Sequence, residues 1–177
     1  MANLLLEDVQ YKIEENFYGT WKRYLYPTGS RFTEFRTHTC FFGLPLLHFT
    51  FGVCPETGKR KVAGGIIAIG RLAMGVLAFG QASLGVIALG QAGIGILALA
   101  QAGLGIFAIG QLAVALRFAL GQLAIGYIAI GQFGYGHYVL AQIGFGGYVW
   151  SPKRADPVAV EYFRLFFQEV KEFFNRG

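Results

Sequence analysis

Between residues 64 and 150 a glycine or alanine returns at nearly every fifth position, and a glutamine at every tenth: Gln81, Gln91, Gln101 and Gln111. That period excludes the two simplest backbones. In an α-helix five residues turn about 500°, so successive glycines step roughly 140° around the axis and make no stripe. A small-residue helical seam needs a spacing of four or seven. A flat strand fails as well, because side chains alternate with period two and an odd repeat changes face at each copy. A chain that turns a corner every five residues keeps each position on a constant face, and such sides stack as parallel strands in a β-solenoid. Written in fives from Gly80 the chain runs GQASL, GVIAL, GQAGI, GILAL, AQAGL, GIFAI and GQLAV, with Gln alternating with Val or Ile at the second position, so the full repeat is ten. Eleven residues separate Gln111 from Gln122, and Gln132 and Gln142 then follow at ten. The extra residue falls in AVALRFALG, which places Arg117 on a small bulge or loop.

These fives resemble the pentapeptide-repeat family, a right-handed quadrilateral β-helix of about twenty residues per coil. The resemblance implies sides that point a central Leu or Phe inward, with a small residue two positions earlier. Ala82-Ser83-Leu84-Gly85-Val86 fits that frame, although the family's usual Asp or Asn is replaced by Ser83, Ala88, Gly93, Ala98, Gly103 or Ala108. The segment 41–150 is also similar to uncharacterised bacterial proteins in which FGLPLLH and GKRKVA lead into GIIAIG repeats, a likeness that brings no activity with it. In the quadrilateral frame the expected core is Ile69, Met74, Phe79, Leu84, Leu89, Ile94, Leu99, Leu104 and Ile109, with Leu77, Ile87, Leu97 and Phe107 on alternate sides. A square coil lined only by Ala and Gly would have an empty centre. Residues one coil apart stack, so Gln81 is expected over Gln101 and Gln91 over Gln111, about 4.8 Å apart, as structural amide ladders.

The wall left outside consists of Ala, Gly, Ser, Gln and the series Val76, Val86, Ile96 and Ile106. Between Val62 and Pro152 the only charges are Arg71 and Arg117, and no Asp or Glu lies between Glu56 and Asp156. Soluble monomers rarely expose a contiguous apolar patch beyond a few hundred Å², so lipid, another copy or the protein's own flanks must cover this wall. Roughly 87 residues at about twenty per coil would give a little over four coils, about 21 Å, short of the roughly 30 Å hydrocarbon core of a bilayer. A solenoid standing along the membrane normal satisfies nearly all its backbone internally. A hydropathy window would instead report several transmembrane helices, a reading that ignores the period of five.

The expected organisation is an N-terminal helix and strand region over 1–61, the hydrophobic repeat over 62–150 and an amphipathic helix over 151–177. Leu6, Val9, Ile13 and Phe17 recur at helical spacing, with Gly19 as a stop. PTGS at Pro27 to Ser30 and PETG at Pro55 to Gly58 have turn chemistry, and HFTFGV alternates as a strand. Near the C-terminus Asp156 suits an N-cap and Pro157 the first helical position. Val160, Phe163, Phe167, Val170 and Phe174 form a stripe widened by Phe166 and Phe173. Such a helix either caps the last coil or lies in a membrane interface.

Chemistry is scarce. His38, Cys40, His48 and Cys54 lack zinc-ribbon spacing, and His137 has no Asp, Ser or Cys neighbour. Two cysteines suit a reducing compartment, and with Glu7 and Asp8 directly after Leu4 to Leu6 no secretory leader is expected. Lys59-Arg60-Lys61 tips a hairpin or touches anionic lipid on the cytoplasmic side; three basic residues make no nucleic-acid surface. The expectation is therefore a mainly β protein, a right-handed β-solenoid with an apolar exterior and flanking helices, non-enzymatic and with no cofactor, metal or small-molecule substrate. It is expected to be oligomeric and associated with lipid at the cytoplasmic membrane. The alternatives are a soluble, self-assembling cytoplasmic scaffold and a glycine-rich multi-helix membrane protein.

Overall fold

The computed structural model describes residues 10–176. It is mainly β with one C-terminal helix, so the repeat is built of strands and the multi-helix alternative falls away. Contacts gather into two compact units, Met1–Leu99 and Ala100–Gly177.

The first unit opens with an antiparallel meander of β1 (Lys12–Asn16), β2 (Gly19–Leu25) and β3 (Arg31–Thr37). The helix expected here is absent over its described part: Ile13 lies in β1 opposite Lys22, Phe17 sits in the hairpin turn, and both are exposed. Leu6 and Val9 lie outside the described residues. A four-residue stripe is a weak helical signal, and the Asn16↔Gly19 pair closes a two-residue hairpin that commits the segment to the sheet. The Pro27 to Ser30 turn joins β2 to β3, with Gly29 at a φ of 81°. A small hairpin of β4 (Cys40–Phe41) and β5 (Leu44–Pro45) follows, and then β6 (Leu47–Phe51), the strand expected from HFTFGV. β6 pairs antiparallel with β3 and parallel with β7 (Ala63–Ile69), joining the meander to the repeat.

β7 pairs in parallel with the start of β8 (Leu72–Trp150), matching Ala63 with Ala73, Ala68 with Ala78 and Ile69 with Phe79. The register advances by ten residues, half of what a square coil requires. Straight, a 79-residue strand would reach about 260 Å; this one stacks on itself. In the first unit a Cβ on Gly85 would strike the Gly75 carbonyl oxygen, and one on Gly95 that of Gly85. In the second unit Gly131 meets Gly121 and Gly136 meets Gly126 in the same way, whereas Gly121 meets Gly110 and Gly126 meets Ala115 at a spacing of eleven. The inserted residue therefore lies between Ala115 and Gly121. It is absorbed inside continuous strand, as a bulge carrying exposed Arg117.

The core is the reverse of the expected one. In the first unit the buried column is Ala63, Ala68, Ala73, Ala78, Ser83, Ala88, Gly93 and Ala98; in the second it is Gly103, Ala108, Ala113, Ala119, Ala124, Ala129, Gly134 and Val139. Leu84, Ile94, Leu104 and Ile109 are exposed, and Leu89 and Leu99 only half-buried. The register gives the reason. Ala63↔Ala73 and Ala68↔Ala78 are ladders five residues out of phase, and their four methyl groups form one buried cluster. Ladders that approach this closely leave room for a methyl group and nothing larger, so the space that would need Leu in a square coil does not exist. Likewise a Cβ on Gly90 would strike the Gly80 carbonyl oxygen, so the register sets Gln91 beside Gln81.

The second unit ends in α1 (Pro157–Asn175), with Asp156 as N-cap residue and Pro157 first in the helix. The Asp156 carboxylate does not cap the helix. It accepts the Val149 N–H at 2.7 Å and pairs with Arg154 at 3.0 Å, which fastens the helix start to the end of β8.

Candidate lipid- or partner-facing wall

The strand alternation that turns Ala73 and Gly75 inward turns Met74 and Val76 outward, and the ten-residue register repeats this at Leu84/Val86 and Ile94/Ile96. These six side chains are 42 to 53% exposed. They form two adjacent apolar columns with steps of about 4.8 Å. Covering each adds about 1 kcal/mol, about 6 kcal/mol in all, since a full Val, Leu or Ile burial is worth about 1.5–3 kcal/mol. The wall residues Val76, Val86 and Ile96 are thus outside, while Ile106 in the second unit is half-buried.

The glycine between the two columns is what brings the strands together. Its Cβ would point at the carbonyl of the residue ten earlier, so Gly75, Gly85 and Gly95 cannot carry side chains without displacing backbone. In the second unit the exposed apolar residues include Leu104, Ile109, Leu112, Leu123, Phe133, Tyr135, Ile143 and Phe145. Leu112, Leu123, Phe133 and Ile143 each directly follow a glutamine, so an apolar column runs beside Gln111, Gln122, Gln132 and Gln142. Gln81, Gln91 and Gln101 are exposed like the rest of the series.

α1 divides in two. Ala159 and Phe163 are buried, Tyr162 stacks on Tyr138 at 4.1 Å between ring centroids, and Phe166 lies parallel to Phe118 at 6.0 Å. Farther along, Phe167, Val170, Phe173 and Phe174 are exposed. The N-terminal half of the helix covers the unit's last strands and the C-terminal half presents Phe to the surroundings. His137 stacks on Tyr127 at 4.9 Å, ten residues earlier in register.

The first unit holds a polar cluster that the sequence did not announce. Glu34 and His48 are buried on the paired strands β3 and β6. The Gly64 N–H donates to His48 Nδ1 at 2.9 Å, which leaves the ring proton on Nε2 to donate to Glu34 Oε1 at 3.1 Å. Lys61 Nζ completes the set at 2.7 Å from Glu34 Oε1. Burial works to raise the Glu34 carboxyl, but hydrogen bonds from His48 and Lys61 and the charge of Lys61 outweigh it and hold it at about 2. Of the three basic residues expected at lipid, Lys61 is therefore committed to Glu34, the Lys59 carbonyl accepts the Cys54 N–H, and Arg60 lines a cavity beside Arg31 and Arg71. The other metal-ligand types are apart: His38 bonds Thr20 at 2.9 Å, Cys40 is exposed, and Cys54 is buried beside the Tyr11 hydroxyl.

Two hairpin tips in this unit are aromatic and exposed. Phe17 and Tyr18 turn β1 into β2, and Phe41 and Phe42 turn β4 into β5. Phe42 holds a φ of 52°, a left-handed conformation that a bulky side chain adopts at a cost. Among the described residues no helix is long and apolar enough to cross a membrane. No family model, curated protein or solved structure matches the chain.

Proposed function

We propose that this chain is a non-enzymatic, membrane-associated structural protein, whose repeat winds as a two-sided β-solenoid of ten residues per turn and lies in or against lipid at the cytoplasmic membrane. One observation carries the reading. From Ala63 to Gly134 the interior column is Ala, Gly and Ser, while Met74, Val76, Leu84, Val86, Ile94 and Ile96 face out. A protein that keeps its smallest residues inside gains little from its own core and gains most when its surface is covered. β7 pairs in parallel with the start of β8, and backbone satisfied in this way suits a setting without water. Phe41 and Phe42 at a hairpin tip and Phe173 and Phe174 on the helix are exposed outside the repeat, as Phe133, Tyr135 and Phe145 are within it, and aromatic side chains favour the boundary between lipid and water. The square coil of the pentapeptide-repeat family is replaced here by a flatter turn that advances about 4.8 Å every ten residues. Copies side by side would cover the remaining wall.

Flotation with phosphatidylcholine vesicles tests the proposal. The full chain is expected to float, and a variant carrying Val76→Lys, Val86→Lys and Ile96→Lys to remain at the bottom of the gradient. If the wild-type chain stays in the lipid-free fraction as a large assembly, the proposal fails and a self-assembling scaffold replaces it.

A further inference from the structure

A cavity of ≈ 630 Å³ opens in the first unit between the Pro27 to Ser30 turn and the Pro55 to Gly58 turn. Three guanidinium-bearing residues line it, and they come from separate places in the sequence: Arg31 begins β3, Arg60 precedes β7, and Arg71 follows β7 at the head of the glutamine column. None of its lining residues is acidic, and among the described residues none of the three arginines forms an ion pair. The nearby acid Glu34 is held by His48 and Lys61. Phe51, Val53 and Pro55 line the same cavity, as do Thr28 and Ser30.

The local backbone builds this arrangement. Gly52 leaves β6 at a φ of 92°, and a Cβ there would strike the Arg31 carbonyl oxygen, so only glycine lets the chain pass this close to the start of β3. The Tyr26 hydroxyl then donates to the Val53 carbonyl at 2.9 Å, and the Tyr26 N–H is tied to Ser30 at 2.9 Å. The apolar wall is thereby fixed beside Arg31. Like charges gathered on one cavity repel, and no acidic residue is among those that line it. An anion relieves that repulsion, and planar guanidinium groups suit the oxygens of phosphate better than ammonium groups do. The volume falls in the range of small-ligand sites.

We infer that Arg31, Arg60 and Arg71 form a binding site for a phosphate group carried on a partly apolar molecule, with Phe51 and Val53 against the apolar part. The phosphate comes either from a phospholipid headgroup or from a soluble phosphate ester. The lipid source rests on the proposed function; the site itself does not.

Two arms separate these sources. In mild detergent, glycerol 3-phosphate is titrated calorimetrically into the full chain and into Arg31→Gln, Arg60→Gln, Arg71→Gln and Arg71→Lys. In vesicles, partition into phosphatidylglycerol mixtures is compared with pure phosphatidylcholine for the same proteins. Each Gln variant is expected to weaken binding about tenfold or more, with Arg71→Lys recovering only part of the loss. Soluble-ester binding without a phosphatidylglycerol increment supports the site and assigns it to a soluble compound. An increment that the arginine variants abolish supports it and assigns it to a headgroup. The inference is overturned if neither arm responds. It is overturned equally if Lys22→Gln and Arg36→Gln, outside the cavity, remove as much as the cavity variants do. A chain that enters neither vesicle refutes the proposed function and leaves the calorimetric arm to decide this site. Far-UV circular dichroism of each variant confirms that it has folded.

Discussion

Leu84 and Ala88 sit four residues apart on the repeat and exchange roles between a square coil and the observed register. Leu84 is 47% exposed and Ala88 is 0% exposed. If Leu84 were a core residue, Leu84→Ala would cost about 2–5 kcal/mol. With half of its surface already open it is expected to cost about 1 kcal/mol at most. Ala88→Leu adds three carbons to a column where Ala78, ten residues earlier, is also fully buried, so the side chain has no gap to enter. Overpacking of this kind costs about 1–3 kcal/mol where a core can adjust, and more where it cannot. Rung spacing is set by backbone pairing and cannot stretch locally, so a cost at or above the top of that range is expected. Thermal unfolding in mild detergent, followed by far-UV circular dichroism, reads both. For a chain of this size about 1 kcal/mol moves the midpoint by about 2–4 °C. Leu84→Ala should lower it by less than about 4 °C and Ala88→Leu by about 8 °C or more. A large loss in Leu84→Ala with a tolerated Ala88→Leu would refute the alanine core and restore the aliphatic one.

Gly85→Ala places a methyl group on the Gly75 carbonyl oxygen and should destabilise clearly in the same assay, whereas Gly64→Ala, with open space at its Cβ, should be neutral or slightly stabilising. Acid should weaken the first unit through Glu34, whose carboxyl falls from 4.5 to about 2 on folding. The lowered value makes its contribution of about 3 kcal/mol complete above pH ~4.5 and lost as the pH falls toward 2. Glu34→Gln should flatten that part of the stability profile in an acid titration. In α1, Phe163 is fully buried and Phe163→Ala should cost about 3–5 kcal/mol. The double change Phe173→Ser and Phe174→Ser should leave the melting temperature nearly unchanged while lowering vesicle partition, and equal partition would remove this end of the helix from the interface.

The period of five was legible because spacing is a property of the sequence alone, and it separated strand from helix over a segment that hydropathy would have made transmembrane helix. The number of sides was not legible from the same spacing. Glutamine at every tenth residue suits alternate sides of a square coil and one side of a two-sided turn equally well. The deciding signal lay elsewhere: the column from Ala63 through Gly134 never carries a side chain larger than serine or alanine, and Val first enters it at Val139. A column that stays small for so long is one where size is limited. The N-terminal helix failed for a different reason, since its four apolar residues carry less weight than a hairpin closed at Asn16 and Gly19. The Glu34, His48 and Lys61 cluster and the three-arginine cavity join residues 11 to 40 positions apart, brought together by strand pairing and turn geometry that no local pattern encodes.

The ten-residue register also makes the two ladders unequal, and this bears on how lipid would cover them. One carries Val76, Val86 and Ile96 with their neighbours; the other carries the glutamines, all exposed. An amide moved from water to an apolar medium without a partner costs about 1–3 kcal/mol by protein mutational measures. For the five glutamines of the second unit, Gln101, Gln111, Gln122, Gln132 and Gln142, that amounts to about 5–15 kcal/mol, enough to oppose what its exposed aliphatic side chains would gain. A single copy wholly inside hydrocarbon is therefore the least favourable arrangement. In the first unit, Val76, Val86 and Ile96 toward lipid would leave Gln81 and Gln91 toward water or headgroups. Full immersion becomes reasonable only when a second copy sets its own glutamine column against the first, so that each amide finds another. If lipid and a second copy both cover this chain, the two associations would be coupled through the same column.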